Sequence, residues 1–524
     1  MKKFNVTGTC VPSKNYMVDI GGKLEKIMAL IDEGCYFTIN RARQYGKTTT
    51  LSRIQNTLPA EYICARISFQ NASSASFETE SAFCRMFLSK IAKTLENTSV
   101  PEEYARSWPD ESISDFELLD RHITRMCKDK KVVLLIDEFD KIGNFHVFLQ
   151  FLSMLREKFL LRSEDMDYTF HNVILAGVYD IASLKQKMID EGLYTPSEAE
   201  NKTQGSPWNI AADFEVDMSF SPAEIATMLR DYETDHKTGM DIAEISGEIY
   251  GYTSGYPFLV SRICQCIDEK LDKNWTKSGV KKAVNLLITE SNTLFDDVFK
   301  NLRNDKDLHD YIYDLLISGD FKPYVIYNPV VGTGVRYGFL KRQQGDIDKV
   351  AVSNKIFELY MTDYFISKDL NSKKQVTGVF HSDIIRDGRF DMELCLHKFA
   401  EHYAEIYNED DMEFLEKHGR LLFISYLKPL INGGGFYHIE SQLTDLRRMD
   451  LVVDYGREQF IVELKIWHGK KGEMEAYGQL CGYLGTKGAG TGYLLSFDFR
   501  RGQNKERRAD WVEYEGKRIF NVVV

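Results

Sequence analysis

Val132-Val133-Leu134-Leu135-Ile136 narrows the fold of this chain more than any other segment. Five consecutive aliphatic residues leave no wet face, so a strand made of them must be covered on both sides, as in a parallel sheet flanked by helices. The run ends in Asp137-Glu138-Phe139-Asp140. Open α/β sheets hold their ligands beyond the carboxyl ends of the strands, and two carboxylates emerging there can serve a divalent cation and an attacking water. Viewed in isolation, the same run also reads as a buried strand ending in a solvated acidic turn.

A second element of this kind stands upstream. Cys35-Tyr36-Phe37-Thr38-Ile39-Asn40 is a short β-prone run, Thr48 to Leu58 has a helical pattern, and Arg41-Ala42-Arg43-Gln44-Tyr45-Gly46-Lys47 joins them. Strand, loop and helix follow in the order of a phosphate-binding loop. Backbone N–H groups would face the phosphates, with Lys47 near the β/γ oxygens and Thr48 on Mg²⁺. Arg41, Arg43, Gly46 and Thr49 belong to the same expected nucleotide contact. Asp137 would hold the Mg²⁺ shell, and Glu138 would orient water. The usual loop pattern has glycine where Arg41 stands. An ordinary strand-to-helix turn carrying a lysine is the competing reading, and the Asp137-Glu138 pair weakens it.

At 524 residues the chain exceeds one ordinary core, and roughly 100–200 residues per domain implies about three or four domains. Hydrophobic residues at 43% and charged residues at 27% exclude a disordered chain. A net charge of −12 excludes attraction of the whole molecule to nucleic acid and leaves only local basic patches for that purpose. The basic start Met1-Lys2-Lys3 precedes no apolar run of signal-peptide length, and no stretch reaches the ~18 apolar residues of a membrane span. A cytoplasmic protein without membrane contact is expected. The nine cysteines lack C-x-x-C spacing and nearby His pairs, so they read as reduced, mostly buried thiols rather than metal ligands.

Further along, His171-Asn172-Val173-Ile174-Leu175-Ala176-Gly177-Val178 reads as another buried strand, ending at Tyr179-Asp180, where a polar residue could sense a γ-phosphate. Phe214-Glu215-Val216-Asp217-Met218 reads as one more strand. Ser221-Pro222-Ala223-Glu224 then carries helix-start signals, so a helical lid is expected after it. Gly255-Tyr256-Pro257 interrupts that lid and is similar to the Gly-x-Pro by which STAND-type signalling ATPases contact nucleotide; a plain helix–helix turn is the equal alternative. Arg262, Arg156 and Arg162 are the candidates for a phosphate-reaching arginine, the last two from a neighbouring subunit.

The loop Arg41-Ala42-Arg43-Gln44-Tyr45-Gly46-Lys47-Thr48, the pair Asp137-Glu138 and Ser206-Pro207-Trp208-Asn209-Ile210-Ala211 resemble the bacterial AAA-ATPase-like family. Its members carry an Arg-Pro-Arg-Arg-Phe-Gly-Lys-[Ser/Thr] loop, in which Arg replaces the first glycine. This chain departs from it at Ala42 and Gln44. The resemblance implies an ATP-binding, Mg²⁺-dependent ATPase whose sites are often completed across a subunit interface, so a homo-oligomer is one of the assemblies left open.

From Asp268 to Lys373 the pattern is helical, with Leu308 to Ile317 as one amphipathic segment. Val335 to Arg342 and Lys349-Val350-Ala351-Val352 then read as strands, and Ser353-Asn354 as a helix start. This order is similar to a winged-helix module. Such a module can read DNA or serve as a packing wedge, and the absence of a dense basic face favours the wedge.

Beyond Val376 the chain changes character. Met392 to Leu415 is helical in pattern, and Asp450-Leu451-Val452-Val453-Asp454, a turn at Tyr455-Gly456-Arg457-Glu458, and Phe460 to Trp467 read as a β-hairpin. Alternation puts Glu463 and Lys465 on one face, within reach of Asp450 on the partner strand. Two carboxylates and an ammonium on one face suit metal-assisted phosphodiester hydrolysis, with Asp450 and Glu463 as Mg²⁺ ligands, joined by the Leu464 carbonyl, and Lys465 positioning or deprotonating water. A salt-bridged surface hairpin is the competing reading. Asp450, Glu463 and Lys465 resemble the core motif of the PD-(D/E)XK nuclease superfamily. Gln479 and Tyr483 are similar to the Gln-x-x-x-Tyr helix of some of its nuclease branches, and Glu416, or else Glu413, would supply the acidic residue of its first motif. Arg500-Arg501-Gly502-Gln503-Asn504-Lys505-Glu506-Arg507-Arg508 is the densest basic cluster, readable as a phosphate track or a solvated loop.

The expectation is an α/β chain: a P-loop NTPase core of AAA+/STAND-like type over 1–220, a helical lid over 221–285, a winged-helix-like connector over 286–375, and an α/β restriction-endonuclease-like domain over 376–524. Its expected activity is ATP hydrolysis coupled to metal-dependent cleavage of nucleic acid, DNA favoured over RNA, with ATP and Mg²⁺ as cofactors and Mn²⁺ an alternative at the nuclease site. The runner-up is an ATP-dependent switch whose C-terminal domain binds nucleic acid or protein without cutting.

Overall fold

The structure is a computed structural model. It describes residues 2–142, 145–190, 192, 194–195, 208–290, 292–318, 322–325, 327–344, 348–372, 383–406, 422–428, 430–431, 435–440, 450–499 and 507–524. The chain forms two compact units: Met1–Leu294 with Thr333–Phe339, and Phe295–Gly332 with Leu340–Val524. Residues of the expected connector therefore fall in both units.

The first unit is built on four parallel strands, β1 (Phe37–Asn40), β2 (Tyr62–Ser68), β3 (Lys131–Asp137) and β4 (Asn172–Gly177), in the order β1-β4-β3-β2. Every residue of β3 after Lys131, and every residue of β4, is buried. One face of β3, through Val132, Leu134 and Ile136, joins an aromatic-rich core with Phe83, Phe87, Phe148 and Phe151 from the helices Glu80–Leu95 and Phe145–Ser163. The helix Lys47–Thr57 packs against β2, β3 and β4 and buries Leu51 and Ile54. A parallel sheet points all its carboxyl ends to one edge. The loop after β1, the acidic pair after β3 and the Tyr179-Asp180 corner after β4 therefore converge.

Residues 214–218, expected as a strand, carry no ladder. Among the described residues, the sheet continues past β1 only as one parallel bridge, Phe37 to Ala212. The side chains explain the difference: Phe214 stacks on Phe37, with ring centroids 5.6 Å apart, and Val216 gives its carbonyl to a side chain rather than to a strand.

Four helices follow, Pro222–His236, Ile242–Thr253, Pro257–Lys270 and Lys277–Thr289. The first opens with a complete capping box, in which Ser221 and Glu224 each satisfy the other's backbone N–H. An N-terminal strap ties into this layer. Lys2 pairs with Asp231 at 2.7 Å, Tyr16 donates to Asp235 at 2.9 Å, and Phe4 stacks on Tyr232. The same strap reaches the loop helix, where the Cys10 N–H donates to Thr49 Oγ1 at 3.3 Å.

In the second unit, Phe295 and Phe299 of the helix Thr293–Asn304 pack on Tyr360 of the helix Lys355–Ser372. The expected amphipathic helix is Lys306–Tyr313, continued by a π-turn, Asp314–Ser318. The wing is β5 (Leu340–Gln343) with β6 (Lys349–Val352), antiparallel. Val335 and Arg336, expected in the first wing strand, instead close the helix Pro329–Arg336. Asn328 Oδ1 accepts from the N–H groups of Val330 and Val331, so an Asn cap and a Pro in the first turn outweigh β-branched propensity. Asn354 caps the next helix in the expected place, accepting from the Phe357 N–H at 2.9 Å.

After two short paired strands, β7 (Ile385–Arg386) and β8 (Arg389–Phe390), and the helix Met392–Ile406, a six-stranded mixed sheet completes the unit. Its strands are β9 (Gly435–Glu440), β10 (Asp450–Tyr455), β11 (Glu458–Ile466), β12 (Thr491–Phe497), β13 (Arg508–Tyr514) and β14 (Lys517–Val523), in the order β13-β14-β12-β11-β10-β9. β9, β10 and β11 are antiparallel, and the helix Lys470–Thr486 crosses over to bring β12 parallel to β11. Tyr437 of β9 donates to Asp363 at 3.1 Å, joining the sheet to the helix Lys355–Ser372. Seven of the nine cysteines are buried and two are partly exposed. Among the described residues, no helix is long and apolar enough to cross a membrane.

Candidate functional site

The loop after β1 turns through two left-handed residues, Gln44 at φ 56° and Gly46 at φ 80°. Alternating right- and left-handed residues turn successive N–H groups inward and make an anion-binding nest, which a helix N-terminus reinforces. The left-handed role that glycine usually fills early in such loops falls here to Gln44, whose Nε2 donates to Thr293 Oγ1 at 2.7 Å. Sequence reasoning missed this residue, because a non-glycine in the left-handed region has no motif of its own.

Arg41 braces the loop from outside. Its guanidinium donates to the carbonyls of Asn40 and Val216, each at 2.7 Å, and lies over the Phe214 ring at 5.5 Å. Burial lowers its pKa from the usual arginine value. The described hydrogen bonds of Arg41 are thus to backbone carbonyls, while Arg43 is exposed and its carbonyl accepts from the Tyr256 hydroxyl. Lys47 donates to the carbonyls of Arg41 and Ala42, each at 2.8 Å, and desolvation pushes its ammonium down to about 8 against the raising fields of Asp140, Asp137 and Glu138. Thr48 and Thr49 sit in the first turn of the helix Lys47–Thr57. Thr49 accepts the strap's N–H, and Thr48 is the hydroxyl beside it on the loop side.

Across the sheet edge, Asp137 is buried, with Arg66 of β2 3.7 Å from its carboxylate. Glu138 takes a left-handed conformation at φ 52°, with its N–H on Asp137 Oδ1 at 3.1 Å. Burial first, and Asp137 beside it second, raises the Glu138 carboxyl above its ordinary range. Its Oε2 is buried without a hydrogen-bond partner, as a group aimed at a water or substrate would be. Asp140 anchors the neighbouring strand end by accepting from the Val178 N–H at 2.8 Å. Gly177 is required there, since a Cβ would lie 2.7 Å from the Phe139 ring. The hydroxyl of Thr48 and the carboxylate of Asp137 are hard oxygen donors and fit Mg²⁺ rather than a soft metal.

The lid touches this loop directly. Tyr45 and Tyr256 pack edge to face at 4.6 Å, and Tyr45 shares a 2.7 Å hydrogen bond with Ser219. Gly255 has φ +73°, and a Cβ there would fall 2.0 Å from the Phe220 carbonyl, so this turn accepts only glycine. Asp180 is spent on capping the helix Ile181–Asp190 through Ser183, and Tyr179 meets the hydroxyl of Tyr337 at 3.1 Å. Of the expected arginines, Arg162 donates to Gly34, Phe170 and His171 carbonyls, and Arg262 to Gln265 and Glu290. Both are structural anchors. Arg156 keeps a buried Nε without a hydrogen-bond partner. Trp208 donates to Thr38 at 3.1 Å and stacks on Tyr36; Ser206 and Pro207 lie outside the described residues.

In the second unit, the β10–β11 hairpin turns at Gly456 and puts Asp450 directly opposite Glu463 in register. Lys465 Nζ lies 3.0 Å from Glu463 Oε1, and Glu463 is 1% exposed. Gln479 and Tyr483 share a face of the helix Lys470–Thr486, with Tyr483 buried. Glu413 and Glu416 lie outside the described residues, as do Arg500 to Glu506; Arg507 is exposed, and Arg508 pairs with Glu473. No cluster of three metal-ligating side chains occurs among the described residues. What the sequence did not announce is a buried network in which Asn521 donates to Glu473 at 2.6 Å and to the Tyr477 hydroxyl at 2.8 Å. Leu494 on β12 is the register partner of both Glu463 and Asn521, which puts all three on one face of the sheet.

A stretch of 159 residues is 29% identical to an uncharacterized WD repeat-containing protein of Synechocystis, covering 30% of this chain and 12% of that protein's length. A Walker-type ATPase of Pyrococcus abyssi aligns over 68% of this chain and 99% of its own, with 11% identity and a TM-score of 0.45. The ORC2 protein of Aeropyrum pernix, in ADPNP and ADP complexes, covers 69% of this chain and 98% of its own, with 11% identity and a TM-score of 0.33. Residues 11–285 match the family described as the AAA-like domain. That match spans more than half of the sequence and contains the loop, the acidic pair and the lid, and by it the chain belongs to the AAA-like domain family.

Proposed function

We propose that the first unit binds and hydrolyses ATP with Mg²⁺. The observation that carries this reading is the convergence of the Gln44–Gly46 nest, Lys47 and Thr48 with Asp137 and Glu138 at one sheet edge. The nest and Lys47 would bind the phosphates, Thr48 and Asp137 would hold Mg²⁺, whose charge would offset that of the phosphates, and Glu138 would orient the attacking water and accept its proton. Phosphate release from ATP, lost in Glu138→Gln with binding retained, is the test; release at the wild-type rate in that variant sinks the assignment.

In the second unit we read a metal-dependent phosphodiesterase acting on nucleic acid, DNA before RNA, with Asp450 and Glu463 as ligands and Lys465 at the water. The register of Asp450 on Glu463 and the 3.0 Å approach of Lys465 support it. A specific observation favours the other reading, a switch whose second unit binds without cutting: Glu463 is buried and closed on Lys465. Incubation with Mg²⁺ or Mn²⁺, ATP and labelled DNA or RNA separates the two. Cleavage lost in Glu463→Gln supports the nuclease; cleavage unchanged in that variant, or no cleavage at all, leaves the switch.

A further inference from the structure

The segment Thr333–Phe339 lies far from the loop in sequence, yet it packs within the first unit and is flanked on both sides by residues of the second. Three of its residues meet the nucleotide site. Gly338 has φ +75°, and a Cβ there would lie 2.7 Å from the Ala42 side chain of the loop and 3.7 Å from the Tyr256 ring. Tyr337 shares a 3.1 Å hydrogen bond between hydroxyls with Tyr179, at the end of β4, and their rings pack edge to face. Arg336 lies over the same Tyr179 ring at 5.7 Å, with Lys187 on it at 4.6 Å. Phe339 is buried against Tyr337.

A backbone that approaches Ala42 this closely sets the position of the loop, because any side chain at 338 would push it. A hydroxyl pair and two cations on Tyr179 fix its ring beside the strand end that faces the phosphates. We propose that Thr333–Phe339 is a positioning element of the ATP site, Gly338 setting the seat of the loop and Tyr337 the orientation of Tyr179. This rests on the ATP reading above.

Equilibrium binding of a fluorescent ATP analogue and hydrogen exchange at 333–339 test the proposal in the full chain. Exchange in the segment should slow when ATP is added to wild type. Gly338→Ala should weaken binding about tenfold and Tyr337→Phe about threefold, both with an unchanged circular-dichroism spectrum. In a cycle with Tyr179→Phe, the double variant should lose less than the sum of the two single losses, since the two hydroxyls share one hydrogen bond. Wild-type affinity in both Gly338→Ala and Tyr337→Phe, additive losses in the cycle, or exchange indifferent to ATP overturns the proposal alone. A wild type that binds no ATP, like a Lys47→Ala control, overturns the ATP reading and the proposal with it.

Discussion

The two candidate sites are built on opposite principles. The nucleotide site gathers one loop, two further strand ends, a lid turn and a distant segment at the edge of a parallel sheet, so its residues are scattered from Gln44 to Gly338. The carboxylate site of the second unit is concentrated on one antiparallel hairpin, where register alone sets Asp450 against Glu463. A site gathered from many elements depends on the whole fold and feels changes far away. A hairpin site depends on strand alternation and tolerates change anywhere except in its own register.

Four experiments press on that contrast, taken from the largest expected effect downward. Glu138→Gln should lower kcat for ATP by about 10²- to 10⁴-fold, measured as phosphate release, while nucleotide affinity stays within error. Lys47→Ala should weaken ATP binding by about 100-fold, the scale of a charge-assisted contact to phosphate, read by calorimetric titration. Gly255→Ala combines a left-handed strain with a collision at the Phe220 carbonyl and should cost about 2 kcal/mol or more, seen as a lower melting temperature together with weaker ATP binding. The same substitution at Gly456, whose Cβ would meet nothing nearer than 3.9 Å, should cost only its backbone strain and leave the first unit's ATP affinity alone. Equal effects of Gly255→Ala and Gly456→Ala on ATP binding would erase the contrast.

A pH dependence, smaller than the loss of Lys47 itself, follows from the same residue. Phosphate binds the ammonium form of Lys47, whose pKa sits at about 8. Below that pH the group is charged and affinity is constant; above it each further unit of pH costs at most about tenfold, until the lysine in the bound complex also loses its proton. Lys47→Arg should flatten the profile between pH 7 and 9, since guanidinium stays charged there. A profile that rises with pH, or one shared by both proteins, contradicts the role given to Lys47.

Much of this architecture was legible because it is local. The aliphatic run before Asp137 announced β3, and the Ser221 and Glu224 signals announced the capping box. Strand alternation placed Glu463 beside Lys465. Long-range chemistry was not legible. No spacing in the sequence says that Arg162 and Arg262 are held by carbonyls and carboxylates of their own surroundings, or that residues 214–218 stay out of the sheet because Val216 serves Arg41. The helix Pro329–Arg336 was misread for a different reason: Val335 suggested a strand, although Asn328 and Pro329 already marked a helix start.

The brace formed by Arg41 also bears on how such a loop can change over generations. Two charge-assisted hydrogen bonds and a ring contact now depend on this side chain, worth together about 3 kcal/mol or more. A glycine at 41 would strip the anchor from Val216 while leaving the left-handed turn at Gln44 in place. Position 216 lends Arg41 only a backbone carbonyl, which any residue can supply, so over generations it is free to vary while Arg41 is held.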